Sequence, residues 1–238
     1  PSARLLIMAL ALSALPFSLL QAAVVPALPT LQRELDSTTA WTAWTVTAFL
    51  VVAAVTTPLL SRLGDQYGKA RLILVSLGIF IIGAFGATFA WDIGSLIGFR
   101  AIQGSSAAVF PLAFAIVKEQ LPPRSVGFAM GLVASVSGVG GGSGLLLSGV
   151  LINYLSWRWI FGFAIIIAVL ACTVVSRLVP DSPEKFPARL DIPGALLLTG
   201  GLASLMVALT EGPELGWSAP TTLGLLVAAC LFLVAWAV

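Results

Sequence analysis

Histidine is absent from the 238 residues, and charge is scarce: Asp, Glu, Lys and Arg together make up 9% of the chain. Without imidazole there is no histidine metal site, no Ser–His or Cys–His catalytic pair and no histidine proton relay. The low charge excludes a soluble domain, which keeps roughly 25% charged residues to cover its surface. With 59% hydrophobic residues and a mean hydropathy of +1.06, the solvent of this chain must be lipid. The net charge of +2 is too small to argue for nucleic acid, and no such partner is expected. Cysteine is limited to Cys172 and Cys230, both inside apolar runs, where a buried free thiol is the ordinary reading. No disulfide framework, metal site or cofactor is implied. A membrane-embedded enzyme would need clustered carboxylates, or a nucleophile with its base, near the membrane surface, and the sequence offers neither.

What the chain has is long apolar runs. A spanning helix needs about 20 mostly apolar residues, because the hydrocarbon core is about 30 Å thick. Eight segments qualify, at about 5–31, 40–61, 72–90, 93–117, 125–151, 159–177, 193–211 and 219–238. The expected fold class is therefore all-α integral membrane. The first segment is too long for a cleavable signal peptide and lacks a small-residue cleavage site. The chain begins at Pro1 and ends within an apolar run, so it is read as part of a longer protein.

The loops alternate between two sides, and the basic residues choose between them. One side holds Arg4, Arg62, Lys69, Arg71, Lys118, Arg124, Arg177, Lys185 and Arg189; the other holds Arg33 and Arg158. The positive-inside rule assigns the first side, and with it the N-terminus, to the cytoplasm. Trp41, Trp44, Trp91, Trp157, Trp159 and Trp217 fall at the opposite helix ends, as an outer aromatic belt would. A multi-pass protein of the cell membrane is expected, with the bilayer as its first partner. The charged, proline-rich stretch around 179–192 divides residues 1–178, a six-helix bundle, from 193–238, a further helix pair.

An ionisable side chain inside hydrocarbon is expensive and marks function by default. Arg100, in LIGFRAIQG, is such a residue, about 10 Å from the outer end of the fourth span at helical rise. It is either a substrate, proton-path or gating residue facing a central cavity, or a structural arginine that caps backbone carbonyls. Gln103, at i+3, shares its face. In the first span Gln21 lies between Pro16 and the pair Pro26 and Pro29, which are expected to kink the helix. Gln21 sits in the outer half, like Arg100, so the two can meet across a cavity, or Gln21 serves only as an interhelical hydrogen bond. The fifth span is rich in small residues, and Gly138/Gly142 and Gly140/Gly144 repeat the spacing that lets membrane helices approach closely. A phosphate loop in GVGGGSG is excluded, since no strand precedes it and it has no lysine.

These motifs, taken together, carry a family likeness. LSRLGDQYGKAR (60–71) resembles the loop between helices two and three of the major facilitator superfamily, with Leu63, Gly64, Asp65, Gly68, Lys69 and Arg71 in the motif region. Ser61, Gln66 and Ala70 depart from it. LIGFRAIQGSSAA resembles the fourth-helix signature, and GGGSGLLLSG (140–149) the fifth-helix antiporter signature, with Gly140, Gly144 and Gly149 fitting. SWRWIF (156–161) and the run 190–220 are similar to the fourteen-helix drug–proton antiporter branch, whose N-terminal bundle is followed by two inserted helices. The resemblance implies that Asp65 docks on a C-terminal six-helix bundle, that Arg100 lies near a proton path, and that the fifth-helix glycines form a pliable bundle contact. Gln21 stands where that branch commonly has an acid.

The resemblance implies a secondary transporter of the multidrug type, exporting small amphipathic or lipophilic molecules by alternating access, with protons as the coupling ion. A lipid or secondary-metabolite exporter not driven by protons is the alternative, and a non-transporting assembly or sensor subunit a more distant one.

Overall fold

The computed structural model describes residues 2–181 and 192–237. They form α1 (Ala3–Glu34), α2 (Thr39–Tyr67), α3 (Lys69–Thr88), α4 (Ile93–Gly104), α5 (Val109–Gln120), α6 (Pro123–Tyr154), α7 (Arg158–Leu178), α8 (Ile192–Leu215) and α9 (Pro220–Ala237). Helices α4 and α5 are two halves of one span, so among the described residues eight spans are long and apolar enough to cross a bilayer. Most of the linker expected at 179–192 lies outside the described residues.

Small side chains decide which helices touch. α1 packs most extensively on α6, and also on α7; α2 packs on α4, α3 on α7 and α4. A Cβ on Gly144 would overlap the Leu19 carbonyl, one on Gly140 the Ser18 hydroxyl, and one on Gly104 the Phe49 carbonyl. Ser148 then donates to the Ala23 carbonyl at 2.6 Å, a bond between α6 and α1 that only close backbones permit. α8 and α9 form a hairpin, with α8 resting on α2. Trp44 Nε1 donates to Glu211 Oε1 at 2.7 Å and fixes that contact.

α1 stays helical through Pro16, Pro26 and Pro29. Other expectations are corrected. The break lies in the fourth span, where Ser105–Ala108 form turns with i→i−3 bonds from Ser106 to Gln103 and from Ala107 to Gly104. Pro111 stands in the first turn of α5, just after the break, where its missing N–H needs no helical partner. Trp157 is not a belt residue. It is wholly buried, donating to Glu34 Oε2 at 2.8 Å, with the Arg158 guanidinium over its ring at 4.4 Å. Trp41, Trp91, Trp159 and Trp217 are exposed, as a belt requires. Cys172 is half-buried and Cys230 exposed, because α9 is covered on few sides by protein.

The end of the bundle that carries Arg4, Arg62 and Lys69 is here the basic end, and the opposite one the aromatic end. At the aromatic end Asp92 caps α4 by accepting from the Ser95 N–H at 2.6 Å, which holds its carboxyl below the usual carboxylate range.

Candidate functional site

The fourth span brings its polar residues to the middle of the bundle. Arg100 is wholly buried, and its three nitrogens each meet an uncharged oxygen. Nε donates to the Thr45 carbonyl at 3.0 Å, one terminal nitrogen to Gln103 Oε1 at 2.8 Å, and the other to Gln21 Oε1 at 3.0 Å. The Phe49 ring covers the guanidinium, 4.4 Å from its centroid. A guanidinium has five donors in a fixed planar fork, so neutral acceptors from α1, α2 and α4 can hold it without a carboxylate. The structure thus joins Gln21, Arg100 and Gln103 in one cluster. Thr45 and Phe49 are members that the sequence reading missed.

Arg100 does not itself face the open space. Beside the cluster lies a cavity of about 540 Å³, lined among others by Phe17, Gln21, Phe49, Ala107 and Phe110. Gln21 and Phe49 stand between this cavity and the arginine. Ala107 and Phe110 belong to the break between α4 and α5, so the interruption of the helix lines the cavity, where irregular backbone in a membrane protein is tolerated. Gln103 Nε2 is buried without a hydrogen-bond partner among the described residues. Gly83 lets the Gln103 side chain pass, since a Cβ there would stand 2.6 Å from Gln103 Cγ.

The basic end carries a second cluster. Lys69, buried despite its charge, bonds Asp65 Oδ1 at 2.8 Å and Glu119 Oε1 at 2.5 Å. Arg71 Nε lies 3.4 Å from Asp181 Oδ2. Gly68 turns the chain between α2 and α3 at φ +111°, and a Cβ on it would overlap the Asp181 carboxylate. Gly64 lets the Leu112 side chain of α5 approach α2, and Leu63 packs against the core. Gly68→Ala is expected to cost about 1–3 kcal/mol through strain at positive φ. The thermal unfolding of the detergent-solubilised complete protein measures it. In the fifth span, Gly140 and Gly144 face α1, while Gly138, Gly142 and Gly149 meet nothing within 4 Å. A Cβ on Gly149 would therefore meet open space among the described residues. Among the described residues no group of His, Cys, Asp or Glu gathers to hold a metal ion.

Comparison with known proteins decides the family. The sequence model of the Major Facilitator Superfamily matches residues 10–238. The chain belongs to the major facilitator superfamily. The puromycin resistance protein pur8 of Streptomyces alboniger is 35% identical over 216 residues, 89% of this chain and 42% of that protein. Multidrug resistance protein 3 of Bacillus subtilis is 31% identical over 196 residues, 82% of this chain and 38% of that protein. This major facilitator chain thus spans about two fifths of the length of those relatives. A crystal structure of the human organic anion transporter MFSD10 superposes with a TM-score of 0.72 at 18% identity, covering 89% of this chain and 56% of that one. That likeness shows the major facilitator fold. The family is one of membrane transporters, not enzymes.

Proposed function

We propose that the complete protein is a secondary active exporter of amphipathic or lipophilic small molecules, coupled to protons and working by alternating access. The cavity beside Gln21 and Arg100 carries this reading. Its volume of about 540 Å³ lies in the range of small-molecule sites, and its lining is apolar and aromatic with few polar groups. Its open side leaves room for a C-terminal six-helix bundle as the second wall. In this reading α8 and α9 are the helix pair that the fourteen-helix drug–proton branch inserts between its bundles. The names of the relatives, a puromycin and a multidrug resistance protein, point the same way.

In this reading the protein lies in the cell membrane, and the positive-inside rule supports a cytoplasmic basic end. Asp65 and Lys69 would then sit at the cytoplasmic mouth. Glu119 holds Lys69 in place, and the second bundle docks on Asp65 in one of the two alternating states. The coupling protons would bind to an acid of the second bundle, since the cavity lining described here has none. The same observation favours a second reading, an exporter of lipids or secondary metabolites that does not use protons.

The test is accumulation of a panel of lipophilic dyes in cells that lack their own efflux pumps. Expression of the complete protein is expected to lower accumulation, and a protonophore to restore it. Efflux that ignores the protonophore moves the conclusion to the second reading. Folded protein in the membrane with no effect on any dye overturns both.

A further inference from the structure

We infer that the cavity selects amphipathic molecules carrying an anionic group, such as a carboxylate or sulfonate on an apolar scaffold, and that Gln21 is the residue that selects them. The inference rests on the transport reading above and names its substrate class.

The starting point is a buried charge that is solvated but not neutralised. Every acceptor on Arg100 is neutral: the Thr45 carbonyl, Gln103 Oε1 and Gln21 Oε1. Six carboxylates of the described residues are engaged elsewhere, at the helix ends, and the three hydrogen bonds of Arg100 reach none of them. Glu34 holds Trp157, Asp65 and Glu119 hold Lys69, Asp92 caps α4, Asp181 meets Arg71, and Glu211 holds Trp44. A buried cation without a counter-charge is costly, and that cost falls when an anion comes near in the low-dielectric interior. The adjacent cavity is the place such an anion can occupy.

Gln21 carries the charge to the cavity wall. Its Oε1 is committed to Arg100, so its Nε2 is the hydrogen-bonding atom left over, and the residue lines the cavity. Nε2 is a donor only, and the cation behind the amide polarises it further. The wall therefore offers a ligand a hydrogen-bond donor under a positive potential, and its other lining residues are uncharged. A neutral carbonyl can accept that bond, but a carboxylate gains the charge term as well, and hydrogen bonds to charged groups are about twice as strong. An ammonium group meets the repulsion of the buried guanidinium instead.

The experiment uses the complete protein in lipid nanodiscs of zwitterionic lipid. Three probes share one scaffold: dansyl-labelled lauric acid, its methyl ester and the matching dansyl alkylamine. Wild type is expected to bind the acid about tenfold more tightly than ester or amine. Gln21→Leu should bind acid and ester alike. Gln21→Glu supplies Arg100 with an internal counter-ion, so the preference for the acid should vanish, and thermal unfolding shows whether the variant stays folded. Repeating the titration with phosphatidylglycerol in the disc separates a lipid headgroup from a free amphipath as the anion, and either upholds the inference. A wild type blind to charge or preferring the amine overturns it, as does an acid preference that survives Gln21→Glu. If no probe binds while the dye test shows efflux, the charge inference fails and the transport reading stands. If neither binding nor efflux is seen, both fail.

Discussion

Arg100→Leu is expected to stop transport by the complete protein, with a loss greater than about a hundredfold per folded molecule, and to lower stability by about 3–5 kcal/mol. The stability loss follows from what the substitution leaves behind. Gln21 Oε1 and Gln103 Oε1 each lose this donor, the Thr45 carbonyl keeps only its helical one, and an unsatisfied buried acceptor costs about 1–3 kcal/mol. The Phe49 ring loses the cation that covers it. The loss of transport has a separate cause: α1, α2 and α4 are joined through this one side chain next to the cavity. Arg100→Lys separates the two effects. A lysine keeps the charge, but its ammonium is a point donor that cannot hold three acceptors in a planar fork. It should recover much of the stability and little of the transport. Melting temperature in detergent and substrate flux normalised to folded protein read the two quantities.

The second large effect belongs to the α1–α6 contact. Gly144→Leu drives a side chain into the Leu19 carbonyl, which is backbone and cannot swing aside. Overpacking typically costs about 1–3 kcal/mol, and here the separation of the helices also breaks the bond from Ser148 to Ala23. The expected loss is about 3 kcal/mol or more, visible as a fall in monodisperse protein on size-exclusion chromatography. Gly138→Leu is the control. It adds the same side chain to the same helix where an added Cβ meets nothing within 4 Å among the described residues, and its cost to the bundle should be much smaller.

The contrast between Gly144 and Gly138 also shows what a sequence like this can tell. Lengths of apolar runs gave the spans directly, because bilayer thickness sets a length that composition alone reveals. Arg100 stood out because hydrocarbon makes an ionisable group conspicuous, and Gln21 was placed at a similar depth by counting residues along the helix. Depth is legible in this way; direction is not. Lipid is as apolar as a protein core, so a membrane helix has no polar face to mark its outside. Nothing in GVGGGSG says that Gly140 and Gly144 face α1 while Gly138, Gly142 and Gly149 do not. For the same reason Phe49 looked like any apolar residue, although it covers the guanidinium, and Trp157 looked like a belt residue, although it is buried against Glu34. The break at Ser105–Ala108 did leave a signal, in Gly104, the paired serines and Pro111. The prolines of the first span drew attention instead, yet α1 stays helical through all three.

The measurement that bears most directly on the whole account uses the complete protein in proteoliposomes loaded with a pH-sensitive dye. Amphipathic substrates are added outside, and wild type is compared with Arg100→Leu. The account predicts that substrate addition moves protons across the membrane in wild type and not in the variant. Substrate crossing with no proton movement would contradict the coupling, and proton movement that persists in Arg100→Leu would contradict the role given to the central cluster.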